Sequence, residues 1–140
     1  MADLEDAIQL AVQRHRGQKD KAGAPYILHP LRVMARMATD VERMVAVLHD
    51  VVEDTGTTLD DLHQLGFPAA AISAVERLTR RAGEPYEAFI ARIKPDPLAR
   101  RVKLADLEDN MDLRRLSVVG ERDLERLQRY LRAWRELSLA

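Results

Sequence analysis

The sequence predicts an all-α protein, a compact bundle of seven or eight short helices built as a single domain over residues 1–140. Three features point there. Apolar residues recur at steps of three and four almost everywhere, helix start and stop signals punctuate the chain at short intervals, and no segment reads convincingly as a strand.

Behind the start signal Asp3, residues Leu4, Ala7, Ile8 and Ala11 draw a first apolar stripe. The segment GQKDKAGAP, from Gly17 to Pro25, is dense in Gly, Pro and charge and reads as a surface loop. Pro30 suits the opening of a second helix and leaves His29 at its mouth. A third helix starts at Asp40 and carries the stripe Val41, Met44, Val45, Leu48 and Val52. Thr58 opens a short polar helix, Gly66 and Gly83 read as stops, and Asp96 followed by Pro97 opens the helix that holds Leu104 and Leu107. Leu124, Leu127, Leu131 and Trp134, with Leu137 one turn on, form a final seam that closes the bundle; the other reading of this seam is a homodimer contact.

Composition narrows the function classes. A length of 140 residues matches one folding unit, and 46% hydrophobic with 32% charged residues supplies a core and a solvated exterior. A formal net charge of -1 gives no global field to collect duplex nucleic acid or an anionic membrane, so any attraction for phosphate must be local. The lack of cysteine rules out disulfides, thiolate zinc sites and cysteine nucleophiles. The opening MADLEDAIQL is acidic where a signal peptide is basic, and no apolar run is long enough to span a bilayer, so the expected location is cytoplasmic.

Chemistry concentrates in few places. His49 and Asp50 sit side by side near the end of the third helix, with Glu53 and Asp54 one turn later, which places all four on the side turned away from the apolar stripe. Three carboxylates so close repel one another unless a cation holds them, and imidazole mixed with carboxylate suits manganese, iron, zinc or nickel. Asp106 and Asn110, four apart, share a helix face beside the core residues Leu104 and Leu107. An Asp next to an apolar stripe is costly to desolvate without a partner such as a metal. Of the other histidines, His63 reads as a surface residue and His15 as one that orients the loop. The basic pairs Arg80–Arg81, Arg100–Arg101 and Arg114–Arg115 read as solvated faces, and Tyr86 as a half-buried packing residue.

In that order, HRGQKDKAGAPYILHP, AVLHDVVEDT and RRVKLADLEDNM resemble the HD-domain hydrolases of the stringent response, which comprise the hydrolase halves of RelA/SpoT-type enzymes and the small stand-alone alarmone hydrolases. The likeness runs from His15 to Asn110. It implies an HD-domain helical bundle with manganese held by residues matching His29, His49, Asp50 and Asp106. It also implies removal of pyrophosphate from the ribose 3′ position of guanosine tetra- or pentaphosphate, a small-molecule nucleotide. By the same resemblance Glu53 and Asp54 handle the attacking water and Asn110 lies against the nucleotide; Lys21 is expected to bring charge to the phosphate chain. Two departures bear on the substrate: Asp20 stands where the family carries an Arg that helps hold the guanine, and Leu107 stands where it carries a basic residue. The neighbouring readings are hydrolysis of a different nucleotide and a nucleotide-sensing module without turnover.

Overall fold

The computed structural model describes residues 1–140 as nine α-helices and one 3₁₀ turn. They are α1 (Leu4–Arg14), α2 (Leu28–Ala35), α3 (Asp40–Leu48), α4 (Val51–Asp54), α5 (Leu59–Gln64), α6 (Ala69–Leu78), α7 (Tyr86–Ile93), α8 (Pro97–Asn110), the 3₁₀ turn Leu113–Arg115 and α9 (Glu121–Ser138). With the single turn α4 counted as the continuation of α3, the bundle has eight helices, within the number expected. The extended contact in the chain is one isolated bridge between Lys19 and Pro25, which closes the neck of the early loop.

Local chemistry sets most of the boundaries. Asp3 and Thr58 cap α1 and α5 by reciprocal capping boxes with Asp6 and Asp61. Asp96 accepts from the amides of Leu98 and Ala99, with Pro97 in the first turn of α8. The third helix is capped one residue earlier than expected: Thr39, not Asp40, accepts from Glu42 N, and Glu42 reaches back to Thr39 N. Gly66 follows the end of α5 at φ +86° and acts as the expected stop. Gly83 does not; α6 already ends at Thr79, and Gly83 shapes the connection to α7. Pro30 falls at the third position of α2, so His29 lies within the first turn and not ahead of it.

The helix α3 runs through the middle. Met44, Val45, Ala46, Val47 and Leu48 are all buried, and α1, α2, α6 and α8 pack around them. A helix buried on every side needs apolar residues all round, which is why the run MVAVL carries no polar position. One continuous apolar core joins α1 to α9. The last helix packs on α8 and α7 through Ala133, Leu137 and the half-buried Tyr130 and Trp134. Leu124 and Leu131, part of the expected seam, are 49% and 39% exposed, so the true stripe is rotated toward Tyr130 and Ala133. No helix is long and apolar enough to cross a membrane.

Candidate functional site

The helix that begins at Asp40 breaks at His49 and Asp50 before resuming as α4. The His49 imidazole donates from Nδ1 to the carbonyl of Ala46 at 2.5 Å, the same acceptor that a continuing helix would offer to the amide of Asp50. A carbonyl only accepts, so Nδ1 carries the proton and Nε2 is the nitrogen that faces inward. His49 is 2% exposed and is thus wholly inside the bundle, a depth that its place beside a helix end did not suggest.

Across from it, α2 presents His29 in the same orientation. Its Nδ1 lies 2.6 Å from Asp109 Oδ2, and its Nε2 lies 2.8 Å from Asp106 Oδ1. The His49 Nε2 is 3.3 Å from that same Asp106 oxygen and 3.1 Å from Asp50 Oδ2. One donor atom from each of His29, His49, Asp50 and Asp106 falls within 4.8 Å of the others, so the four can hold a metal ion. The donor set fits one well: both imidazoles are anchored through Nδ1 on an acceptor, which turns each Nε2 lone pair toward the shared centre. The second oxygen of Asp106 is occupied by Lys103 Nζ at 2.8 Å, and Asp50 Oδ2 accepts from the Tyr26 hydroxyl at 2.6 Å.

Electrostatics follow this crowding. Burial pulls the His29 imidazole down, but its hydrogen bonds to Asp106 and Asp109 outweigh that and push it up to about 9. His49 is likewise raised, burial being overcome by Asp50 and Asp106. Burial alone would raise Asp50, yet the His49 cation beside it brings it down to about 2. Asp54 moves the other way, pushed up to about 6 by burial and by the charges of Asp50 and Glu53.

Two clefts open on this centre. The first, about 280 Å³, is lined by the loop residues Lys19, Asp20 and Lys21, by His29 and Arg32 of α2, and by Asn110, Arg115, Arg126 and Tyr130. A second, about 290 Å³, adjoins it and includes Asp50, Glu53, Asp54 and Asp106 together with Arg80, Tyr86, Lys103 and Arg129. Tyr26, Asn110 and Tyr130 border both. Glu53 is held by the amide of Arg80, which donates to Oε1 at 2.7 Å, and Asn110 Nδ2 donates to Asp106 Oδ1 at 3.2 Å.

The eight candidate site residues His29, His49, Asp50, Glu53, Asp54, Asp106, Asn110 and Lys21 all lie at the centre or on a cleft wall, and further residues join them there. Asp109 is 2% exposed and grips Arg32 with both oxygens, at 2.8 and 3.1 Å. Lys103, Asp106 and Asp109 follow at steps of three on α8, and His29 and Arg32 do so on α2; that shared spacing was the available signal. Arg80 and Arg115 are exposed, as expected of solvated faces, but each also has a partner on a cleft wall. Arg115 bonds the Asp109 carbonyl at 2.8 Å and the Arg80 guanidinium lies over the Tyr86 ring, 5.6 Å from its centroid. His63 is exposed as expected, and His15 Nδ1 meets Gln18 at 2.8 Å, which ties α1 to the start of the loop.

The two departures also acquire a physical meaning. Asp20 Oδ1 accepts from the amides of Ala22 and Ala24, both at 2.9 Å, and so shapes the loop while lining the first cleft. Leu107 is fully buried in the core, so the charge missing there is one this fold would have had to bury rather than one lost from a cleft.

An all-helical bundle with paired imidazoles and aspartates converging between a broken helix and a distant one defines an HD-type fold whose centre can hold a metal ion. No family model matches the chain. It is 38% identical over 144 residues to the guanosine-3′,5′-bis(diphosphate) 3′-pyrophosphohydrolase MESH1 of Mus musculus, covering 92% of this chain and 79% of that protein. With the guanosine-3′,5′-bis(diphosphate) 3′-pyrophosphohydrolase of Aquifex aeolicus it shares 33% over 121 residues, and with a probable GTP pyrophosphokinase of Mycobacterium leprae 34% over 120 residues. Those matches cover 78% and 77% of this chain but only 17% and 15% of these much longer relatives. Among solved structures, a metazoan ortholog of SpoT described as hydrolysing ppGpp and acting in starvation responses superposes with a TM-score of 0.76 at 26% identity, over 96% of this chain and 82% of that one. The chain belongs to the HD-domain (p)ppGpp hydrolase family.

Proposed function

We propose that the protein is a manganese-dependent hydrolase that releases pyrophosphate from the 3′ position of a guanosine polyphosphate in the cytoplasm. The observation that carries the reading is the convergence of His29, His49, Asp50 and Asp106 between two clefts, one rich in cations and one holding Glu53 and Asp54. Two relatives over this region are named as 3′-pyrophosphohydrolases of guanosine bis(diphosphate).

A divalent ion held by His29, His49, Asp50 and Asp106 would polarise a phosphate oxygen and lower the pKa of a nearby water. The chain does the rest. Lys21, Arg32 and Arg115 in the first cleft attract the phosphates of the nucleotide, and Asn110 offers a hydrogen bond at the border of the two clefts. From the second cleft, Glu53 orients the water while anchored on the Arg80 amide. Asp54, with its carboxyl raised to about 6, is suited to take the proton near neutral pH. The water oxygen bonds to the inner phosphorus of the 3′ diphosphate, the bond from that phosphorus to ribose O3′ breaks, and O3′ leaves with a proton. The products are pyrophosphate and a nucleotide that keeps its 5′ phosphates and has a free 3′ hydroxyl.

Glu53→Gln should lower turnover of guanosine tetraphosphate by orders of magnitude with manganese content unchanged, read by released pyrophosphate and metal analysis. A fully active variant would remove Glu53 from the mechanism. Asp20 in the first cleft favours a second reading, hydrolysis of a nucleotide whose base is not guanine, since a carboxylate cannot stack on a base as a guanidinium does. A nucleotide panel with pyrophosphate and orthophosphate measured separately decides between them. Tight binding with no product would instead identify a sensing module. A homodimer through the outward Leu124 and Leu131 belongs to the same proposal, and sedimentation equilibrium tests it.

A further inference from the structure

The second cleft contains more cationic and donor capacity than the hydrolytic step uses. Arg129 of α9 and Arg80 of the α6–α7 connection converge on one aromatic ring, with guanidinium carbons 5.0 and 5.6 Å from the Tyr86 centroid. Arg129 also lies 5.7 Å from the Tyr130 centroid. Other arginines of the molecule find carboxylates: Arg92 pairs with Glu84, Arg32 with Asp109 and Arg126 with Asp123. Neither guanidinium has a carboxylate oxygen within 4.0 Å: Arg80 Nε donates to the Glu84 carbonyl at 3.0 Å, and Glu53 rests on the Arg80 backbone amide instead. Two like charges set over one ring without a counter-ion are repulsive, and the face of the ring compensates only in part.

Two donors in the same cleft are also unsatisfied. Arg129 Nε and the Tyr86 hydroxyl are buried and have no hydrogen-bond partner. An unpaired buried donor is costly and uncommon, and two bordering one open cleft beside guanidinium groups that pair directly with no carboxylate call for an acceptor with several oxygens and a negative charge. Lys103 joins this wall to the centre, because its ammonium bonds Asp106 while lining the same cleft. The positive wall thus begins at the candidate metal ligands and runs outward past Tyr86.

We propose that Arg80, Tyr86 and Arg129 form a subsite for the outer phosphate of a diphosphate group whose inner phosphate sits at the centre made by His29, His49, Asp50 and Asp106. The inference rests on the hydrolase reading and deepens it, since it makes the protein select a diphosphate over a monophosphate at the position that is cleaved. The chemistry of the wall matches that group. Guanidinium forks bind phosphate oxygens by paired charge-assisted bonds, and a phenol adds a third donor.

Inorganic pyrophosphate and orthophosphate are the probes, titrated by calorimetry into manganese-loaded protein in buffer with free manganese in excess over phosphate. The wild type should bind pyrophosphate at least about tenfold more tightly than orthophosphate, as expected for charge-assisted bonds to a second phosphate. Arg129→Gln should erase most of that ratio by weakening pyrophosphate alone. Arg80→Gln, at an exposed position, should reduce it several-fold and serves as the check if Arg129→Gln folds poorly. Tyr86→Phe keeps the ring and should cost a few-fold. Equal affinities for the two probes in the wild type, or a ratio untouched by Arg80→Gln and Arg129→Gln, would overturn the subsite. A kinetic arm compares nucleotides bearing a 3′ diphosphate or a 3′ monophosphate, and the variants should lose their preference in kcat/KM. Should the wild type turn over neither nucleotide, the hydrolase reading fails while the pyrophosphate titrations still decide the subsite.

Discussion

The buried centre and the cleft that holds Lys21 are built by opposite means. At the centre, every inward group is pinned: Nδ1 of each imidazole rests on an acceptor, and Asp106 and Asp109 are each tied to a cation of their own. These residues sit on α2 and α8 and at the break just after α3, at the edge of the core. The Lys21 cleft is made from a loop, a 3₁₀ turn and the outer face of α9, and Lys21 itself is exposed. Rigid helices fix atoms to the precision that coordination needs, whereas loops can change residues without disturbing the core. Chemistry and substrate choice are thus carried by separable parts of one small protein.

The sharpest division should come from Asp106→Ala. Removing this carboxylate takes away a candidate ligand and leaves Lys103 buried without its partner, so metal binding should be lost and stability should fall by about 3–5 kcal/mol. Denaturant unfolding and metal analysis read the two effects. If stability were unchanged, the Lys103 pair would not be part of the centre's rigidity.

Acidity gives a second test with a definite sign. In metal-free protein His29 is raised from 6.5 to about 9, so its stabilising protonation is fully present below pH 6.5 and is lost as pH rises through about 9. Metal binding needs unprotonated imidazole, so the gain in Tm on adding manganese should widen over that same interval. The depressed carboxylate Asp50 acts at the other end: its contribution fades as pH falls from the ordinary carboxylate range toward 2. Thermal scans with and without manganese from pH 5 to about 9 would show the divergence, and parallel curves would deny the imidazoles a role in holding the ion.

Asp109→Asn should be milder. It keeps the shape but weakens the anchor on His29, and loss of such an outer partner lowers metal affinity by about 10- to 100-fold. Competition with a chelator measures it. Least of all, Lys21→Ala should raise KM a few-fold with kcat, metal affinity and Tm unchanged, as expected for an exposed loop cation. A fall in Tm with Lys21→Ala would show that loop and core are coupled after all.

Much of this was legible in one dimension because helices announce themselves locally. Asp3, Thr58 and Asp96 cap where the pattern placed caps, since a cap needs only its own first turn. His49, Asp50, Glu53 and Asp54 could be grouped from their spacing because one turn brings them together whatever the rest does. The break after Leu48 and the full burial of His49 were not readable there, because they depend on α8 arriving from the other side. The same holds for Arg80, Arg115 and Arg129, whose composition reads as ordinary surface until the bundle turns them into clefts.

The order of residues along the chain was enough to specify helices, their ends and a short list of reactive side chains, because each depends on neighbours within a turn or two. Bringing His29 to an aspartate 77 positions away, giving it Asp109 as anchor and leaving Arg129 without a counter-ion required the packed bundle. Long-range proximity is set by how apolar faces fill a shared volume, and no window of sequence contains that information.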